Sequence, residues 1–336
     1  MQQDKAILVV GGAGYIGSHT VRQLAARKRK VVVLDNLVYG HREAIVDEGV
    51  VFVEGDLGDR ATLDALFEKY DVAAVMHFAA FAYVGESVTE PAKYYRNNLA
   101  APLVLLDAMR AHGCPIFIFS STCATYGNPQ YMPLDEQHPQ NPINPYGASK
   151  QMLERVLADY SHAYGLKYAA LRYFNAAGCS ADGLIGEDHN PETHLIPLVL
   201  EAAAGRRPHI TVFGTDYPTR DGSCIRDYIH VDDLAKAHIL AIEKLETGLP
   251  SFQCNLGTGI GHTVKELIAA AEKVTGHSIP VVLGERRPGD PPELVAAPAK
   301  AKELLGWEAE HKDLDDILRT AWAWMDGPRK GRFGEN

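Results

Sequence analysis

The stretch Ala6-Ile7-Leu8-Val9-Val10-Gly11-Gly12-Ala13-Gly14-Tyr15-Ile16-Gly17 decides how the chain is read. Five apolar residues, three of them β-branched, spell a short strand buried on both faces. Glycines follow at 11, 14 and 17, and a helical pattern runs over 16–27. Lacking a Cβ, Gly11 and Gly14 can make a tight turn that lets backbone approach a pyrophosphate, and Gly17 lets the helix pack close to the strand. The helix N-terminus adds N–H groups and a partial positive charge. The spacing is G-x-x-G-x-x-G, not the usual G-x-G-x-x-G, and a plain turn also accounts for such a string taken alone.

The surroundings favour the nucleotide. A second apolar strand, Val31–Asp35, ends in a carboxylate 18 residues after Gly17, where an acceptor for the adenosine ribose is expected. A carboxylate there repels a 2′-phosphate and so favours NAD over NADP, although Asp35 could also simply cap a turn. Asp56-Leu57, after the third strand, is positioned to flank the adenine. Further apolar runs at 50–53, 73–77, 116–120 and 168–174 alternate with helical stretches at 61–69, 93–112 and from 145. That alternation predicts an α/β fold with a doubly wound parallel sheet. After Asn175 the texture changes to a Gly/Asp/Asn-rich loop (176–192), then shorter helices and strands. We read 1–175 as a nucleotide-binding domain and 176–336 as a smaller ligand domain, with segments of the second half free to rejoin the first sheet.

The chain has 336 residues, 46% hydrophobic and 23% charged, enough for a large core. A formal charge of −10 excludes non-specific nucleic-acid binding, so an anionic ligand would depend on a few placed Arg or Lys residues. No apolar run approaches 20 residues, which argues against a membrane span, and Ala6–Val10 is too short for a signal sequence. Five widely spaced cysteines without C-x-x-C suggest a reducing cytoplasmic setting. The histidines are scattered, His189 and His194 lie five apart, and H-E-x-x-H is absent, so no metal is expected.

Asn144-Pro145-Tyr146-Gly147-Ala148-Ser149-Lys150 opens a helix, with Asn144 suited to the N-cap and Pro145 to the first turn. Tyr146 and Lys150 then share a face. A phenol with an ordinary pKa of about 10 is a poor base at neutral pH, but an ammonium, a helix N-terminus and an oxidised nicotinamide would each favour the phenolate. Thr122, after the strand ending Ser120-Ser121, would be the third member, its hydroxyl bonding the reacting oxygen; a plain β-edge hydroxyl is the other reading.

Taken together, these residues resemble the extended short-chain dehydrogenase/reductase superfamily, and within it the UDP-glucose 4-epimerase family. The likeness is carried by GGAGYIGSHT (11–20), LDNL (34–37), EGDL (54–57), HFAA (77–80), VGES (84–87), FIFSS (117–121), NPYGASK (144–150), LRYFNAAG (171–178), HLIPLV (194–199), RDYIHVDDLA (226–235), NLGTG (255–259) and RRPGDPP (286–292). The resemblance implies a Rossmann-like sheet with a smaller α/β C-terminal substrate domain. It implies a tightly held NAD, a transient 4-keto sugar and interconversion of UDP-glucose and UDP-galactose in a cytoplasmic homodimer, with the helices at 93–112 and 146–163 as its seam. Tyr146, Lys150 and Thr122 would be catalytic. Gly11, Gly14, Tyr15, Ile16, Gly17, Asp35, Asn36, Asp56, Leu57, Phe78, Ala79, Ala80, Asn97, Ser120 and Phe174 would join Tyr146 and Lys150 around the cofactor. Asn175, Arg226 and Arg287 would meet the UDP phosphates, Phe213 the uracil and Asp290 the uridine ribose, with Tyr173, His194 and Leu294 completing the sugar-nucleotide site alongside Thr122 and Tyr146.

Three departures stand out. Thr122 replaces a frequent Ser and keeps the hydroxyl. His194 stands where some relatives carry Asn, so its contact is open. Leu294 stands where some carry a bulky Tyr, which would widen the pocket beside the sugar C2 and admit N-acetylated UDP-hexosamines. Cys123-Ala124 after Thr122 lacks the Asp-Glu of the 4,6-dehydratases, which disfavours elimination. A 4-epimerase of UDP-xylose/UDP-arabinose or a UDP-uronic acid, and a non-catalytic NAD-binding regulator, remain the alternatives.

Overall fold

The computed structural model describes residues 5–287 and 289–334. Its first strands and helices are β1 (Ala6–Val10), α1 (Tyr15–Ala26), β2 (Lys30–Asp35), β3 (Val51–Glu54), α2 (Arg60–Lys69) and β4 (Val72–His77). Then come α3 (Val84–Thr89), α4 (Pro91–Tyr95), α5 (Ala101–Ala111), β5 (Ile116–Thr122), α6 (Pro145–Tyr164), β6 (Lys167–Tyr173) and β7 (Asn175–Ala177). The remainder holds α7 (Leu195–Ala203), β8 (Ile210–Phe213), β9 (Ile225–His230), α8 (Val231–Glu246), β10 (Phe252–Leu256) and β11 (Gly261–Thr263). It ends with α9 (Val264–Thr275), β12 (Val281–Gly284), β13 (Glu293–Leu294), α10 (Ala299–Leu305) and α11 (Leu314–Asp326).

Seven strands form one sheet in the order β10-β6-β5-β4-β1-β2-β3. The β1–β2, β1–β4, β2–β3 and β4–β5 pairings are parallel. Every residue of β1, β4 and β5 is buried, which is why these strands read as unbroken apolar runs without alternation. Strand order reverses at β1, between β2 and β4, and a ligand crevice opens beyond the carboxyl ends of strands at such a point. The helix expected at 93–112 is interrupted: a π-helical turn at Arg96–Ala100 joins α4 to α5. Such turns recur at functional sites.

By contact, one compact unit comprises the residues up to Gly127, Pro139–Arg172 and Ala235–Cys254. The other comprises Asn128–His138, Tyr173–Leu234 and the residues from Asn255 onward. The boundary near 175 is thus drawn at Arg172/Tyr173, and the segments 128–138 and 235–254 exchange sides. The core of the first unit joins Leu8, Val10, Leu34, Val75, Phe117 and Leu153. That of the second packs α7, α9 and α11 through Val199, Leu200, Leu267, Leu314 and Leu318. Here α9 begins with a capping box: Thr263 Oγ1 accepts from Glu266 N–H and the Glu266 side chain from Thr263 N–H. No helix among the described residues is long and apolar enough to cross a membrane.

Candidate active site

In the first unit the chain leaves β1 through Gly11, whose φ of +78° and close neighbours both demand glycine: a Cβ there would lie 2.4 Å from Ala79 N. A Cβ on Gly17 would lie 2.1 Å from Gly11 O, so α1 is pressed against the turn it follows. Gly14 is its N-cap and supplies no side chain, which leaves the anion-binding capacity of a bare helix start, at Tyr15 and Ile16, intact. Phe78 and Ala79, after β4, both donate backbone N–H bonds to Val10 O (2.8 and 3.1 Å), and Ala80 follows, half-buried.

Asp35 is buried, and its carboxylate accepts from Ala13 N–H and Leu37 N–H, both at 2.9 Å. Burial pushes its pKa up, against the pull of those two donors. Asp35 therefore holds the glycine turn to the end of β2, beyond the ribose contact expected from sequence, and each oxygen keeps a second lone pair for a ligand. Asn36 donates to Asp56 Oδ2 (2.9 Å), whose Oδ1 accepts from Gly58 N–H (2.7 Å), with Leu57 buried beside it. Asn97 lies on the π-helical turn and donates to Asn98 Oδ1 (2.9 Å); buried Asn98 holds both the N–H and the C=O of Phe81.

The strand end that carries Thr122 and the helix start that carries Tyr146 and Lys150 lie against one another. Asn144 Oδ1 accepts from Gly147 N–H (2.8 Å) with Pro145 in the first turn of α6. A Cβ on Gly147 would lie 2.5 Å from Ala124 O, so only glycine lets α6 approach the turn after β5 this closely. In that turn Thr122 Oγ1 accepts from Ala124 N–H (3.1 Å). Lys150 is 3% exposed; its Nζ donates to Ser120 O (2.8 Å) and lies 5.9 Å from the ring centroid of half-buried Tyr146. Burial pushes the Lys150 pKa down to about 7, against the opposing pull of Glu154. His77, at the end of β4, is held neutral by burial and by Lys150, with its pKa pushed down to about 3.

One group escaped the sequence reading. Glu154, four residues beyond Lys150, is buried and accepts from Arg172 Nε (2.9 Å) and Arg172 Nη2, from Ser121 Oγ (2.6 Å) and from Gln140 Nε2 (3.1 Å). Arg172 also donates to Tyr126 Oη (3.0 Å). This network ties α6 to β5 and β6 one turn beyond Lys150. The i, i+4, i+8 spacing of Tyr146, Lys150 and Glu154 was the available signal.

In the second unit β13 pairs with β9 in a register that sets Leu294 opposite Arg226. Arg226 and Arg287 both donate to Asp290, the latter at 3.0 Å. The Arg287 guanidinium carbon stands 5.0 Å over the Phe213 ring, which is 41% exposed. Three separate segments, carrying Phe213, Arg226, and Arg287 with Asp290, thus form one cationic, aromatic-edged patch with Leu294 alongside. Asn175 lies on β7, and its Nδ2 donates to Asp227 O (2.9 Å) on β9. Tyr173 is half-buried at the end of β6, and Phe174 next to it is buried. His194 does not join the patch: its Nδ1 lies 2.9 Å from both Glu187 Oε1 and Glu192 Oε1. These three and His189 form a compact group of His and carboxylate donors.

The model of the NAD dependent epimerase/dehydratase family matches residues 7–257. A UDP-glucose 4-epimerase of Rhizobium leguminosarum bv. trifolii is 54% identical over 320 residues, covering 95% of this chain and 97% of that one. Among solved structures, the UDP-glucose 4-epimerase from Brucella ovis in complex with NAD superposes with a TM-score of 0.92 at 54% identity, covering 95% of this chain and 97% of that one. The UDP-Glc/GlcNAc 4-epimerase from Campylobacter jejuni gives 0.85 at 44% identity, covering 96% and 99%.

Proposed function

The chain belongs to the NAD dependent epimerase/dehydratase family, and from that premise we propose that it interconverts UDP-glucose and UDP-galactose through a 4-keto sugar, with NAD as cofactor. The residues suit that cofactor: close packing against Ala79 and Gly11 O leaves space only for glycine at Gly11 and Gly17, which keeps the turn between β1 and α1 tight. The carboxylate of Asp35 at the end of β2 would accept from a ribose and repel a 2′-phosphate. Bound NAD supplies the acceptor and donor for the hydride at sugar C4. The single observation that carries the reading is the buried Lys150, fixed on Ser120 O and within electrostatic reach of Tyr146.

Tyr146, as phenolate, takes the 4-hydroxyl proton as the carbonyl forms and returns it when the carbonyl is reduced from the opposite face. The substrate therefore leaves with no net redox change. Charge on Lys150 lowers the cost of the phenolate, and the Thr122 hydroxyl orients the reacting oxygen. Arg226 and Arg287 offer planar paired donors to the diphosphate, which explains how a chain of net charge −10 holds a dianion. Asp290 holds both guanidiniums and is the acceptor for the uridine ribose, Phe213 flanks uracil, and Asn175 is a further phosphate contact. Tyr173 and Phe174 are assigned to the sugar and nicotinamide sides.

We also propose a cytosolic homodimer with α5 and α6 at its seam; the five cysteines carry no disulfide, which suits a reducing compartment. Leu294 in place of a larger ring should admit UDP-GlcNAc and UDP-GalNAc. The test is an NMR assay of a UDP-sugar panel with the purified protein and no added reductant. UDP-glucose/UDP-galactose exchange should appear, with UDP-hexosamine exchange alongside it that falls about tenfold or more in Leu294→Tyr. Hexosamine turnover that is negligible in the parent and unchanged in the variant would remove the wide-pocket claim.

A further inference from the structure

Ahead of α7, the segment 187–194 brings four side chains of the second unit to one point that the proposed reaction does not use. One donor atom each from Glu187, His189, Glu192 and His194 lies within 4.8 Å of the others. His194 Nδ1 is 2.9 Å from Glu187 Oε1 and 2.9 Å from Glu192 Oε1. His189 Nδ1 is 3.2 Å from Glu187 Oε1 and 3.5 Å from Glu192 Oε2. Nitrogen and oxygen donors around a tetrahedral cation, at bond lengths of about 2.0–2.1 Å, stand roughly 3.3 Å apart. The four His–carboxylate separations, 2.9 to 3.5 Å, lie on either side of that edge length, within a group whose donor atoms all fall inside 4.8 Å.

His194 Nδ1 faces Glu187 and Glu192 at equal distance, so its one N–H is shared between two carboxylates that converge on the same nitrogen. Two carboxylates with side chains only 8% and 11% exposed are also held around the same nitrogens, and a divalent charge between them would offset their repulsion.

The surrounding structure fixes the donors as outer contacts do in a metal site. Glu192 Oε1 accepts from the backbone N–H groups of Thr193 (2.6 Å) and His194 (2.7 Å). The Glu187 carbonyl accepts from Trp324 Nε1 (2.9 Å) on α11, and a Cβ on Gly186 would strike the same indole. Asp188 Oδ2 accepts from Phe333 N–H (2.8 Å), and the Phe333 ring packs 4.8 Å from Trp324.

We propose that Glu187, His189, Glu192 and His194 bind one divalent transition cation of the zinc class as a structural clamp at the start of α7. Two imidazoles and two carboxylates suit that class, and four protein donors leave no open position for chemistry. The proposal lies outside the epimerase reading and stands or falls separately from it.

The test uses tag-free, full-length protein with its nucleotide bound. Elemental analysis after growth with zinc and gel filtration should find one zinc per chain. Cobalt(II) added to chelator-treated protein should develop the visible bands of a tetrahedral centre, which one equivalent of zinc then bleaches. In Glu187→Gln and His189→Asn the cobalt affinity should fall at least about tenfold. Sub-stoichiometric zinc with no cobalt bands in the parent protein would overturn the proposal without recourse to any variant. Cobalt or zinc binding that persists undiminished in folded Glu187→Gln and His189→Asn would overturn it as well, by placing the metal on other histidines.

Discussion

Tyr146→Phe is expected to lower kcat for UDP-galactose by about 10²–10⁴-fold while UDP and nucleotide binding stay near the parent values. The phenyl ring keeps the packing of α6 over the turn at Thr122–Thr125, and Lys150 keeps its bond to Ser120 O. What disappears is the oxygen proposed to take and return the 4-hydroxyl proton. Thr122 is no substitute, since an aliphatic hydroxyl is far too weak an acid to rest as the anion beside a neutral sugar. Stopped assays of the variant, together with calorimetric UDP binding, check this. A fall of only a few-fold would show that the proton leaves by another route. Partner binding unaffected by the substitution, with no activity in the parent, would favour the regulator reading instead.

Arg172→Met is expected to cost about 3–5 kcal/mol of folding stability, because it leaves Glu154 charged and buried beside an apolar side chain. Arg172 and Glu154 side chains are each 6% exposed, and the remaining donors to Glu154, from Ser121 and Gln140, are neutral. Removing both charges together, as Arg172→Met with Glu154→Leu, should recover a good part of the loss, since breaking a buried pair costs more than replacing it. Urea unfolding of the two proteins decides the matter. A single variant within about 1 kcal/mol of the parent would mean that water reaches Glu154 once the guanidinium is gone.

Much of the first unit was legible in the sequence because its signals are local. The strand–glycine–helix turn at 6–17, the N-cap Asn144 with Pro145, and the four-residue spacing of Tyr146 and Lys150 each follow from backbone geometry over a few residues. What escaped depends on long-range register or on loops without a period. Nothing local couples Glu154 to Arg172, eighteen residues on, or sets Leu294 beside Arg226 through the β13–β9 pairing. The extra residue of the π-helical turn at 96–100 is invisible to a 3.6-residue pattern. Likewise E-x-H-x-x-E-x-H over 187–194 matches no helical metal motif, because a loop, rather than a helix face, folds its donors inward. The exchange of 128–138 and 235–254 between units has the same origin: contact, not composition, assigns them.

The central claim is that the hydrogen at sugar C4 leaves and returns to the same carbon, while Tyr146 relays only the hydroxyl proton. UDP-galactose deuterated at C4, converted by the pure protein in ordinary water and followed by NMR to equilibrium, tests this most directly. Retention of the label at C4 of the UDP-glucose formed is the predicted result; its replacement by solvent hydrogen would contradict the account.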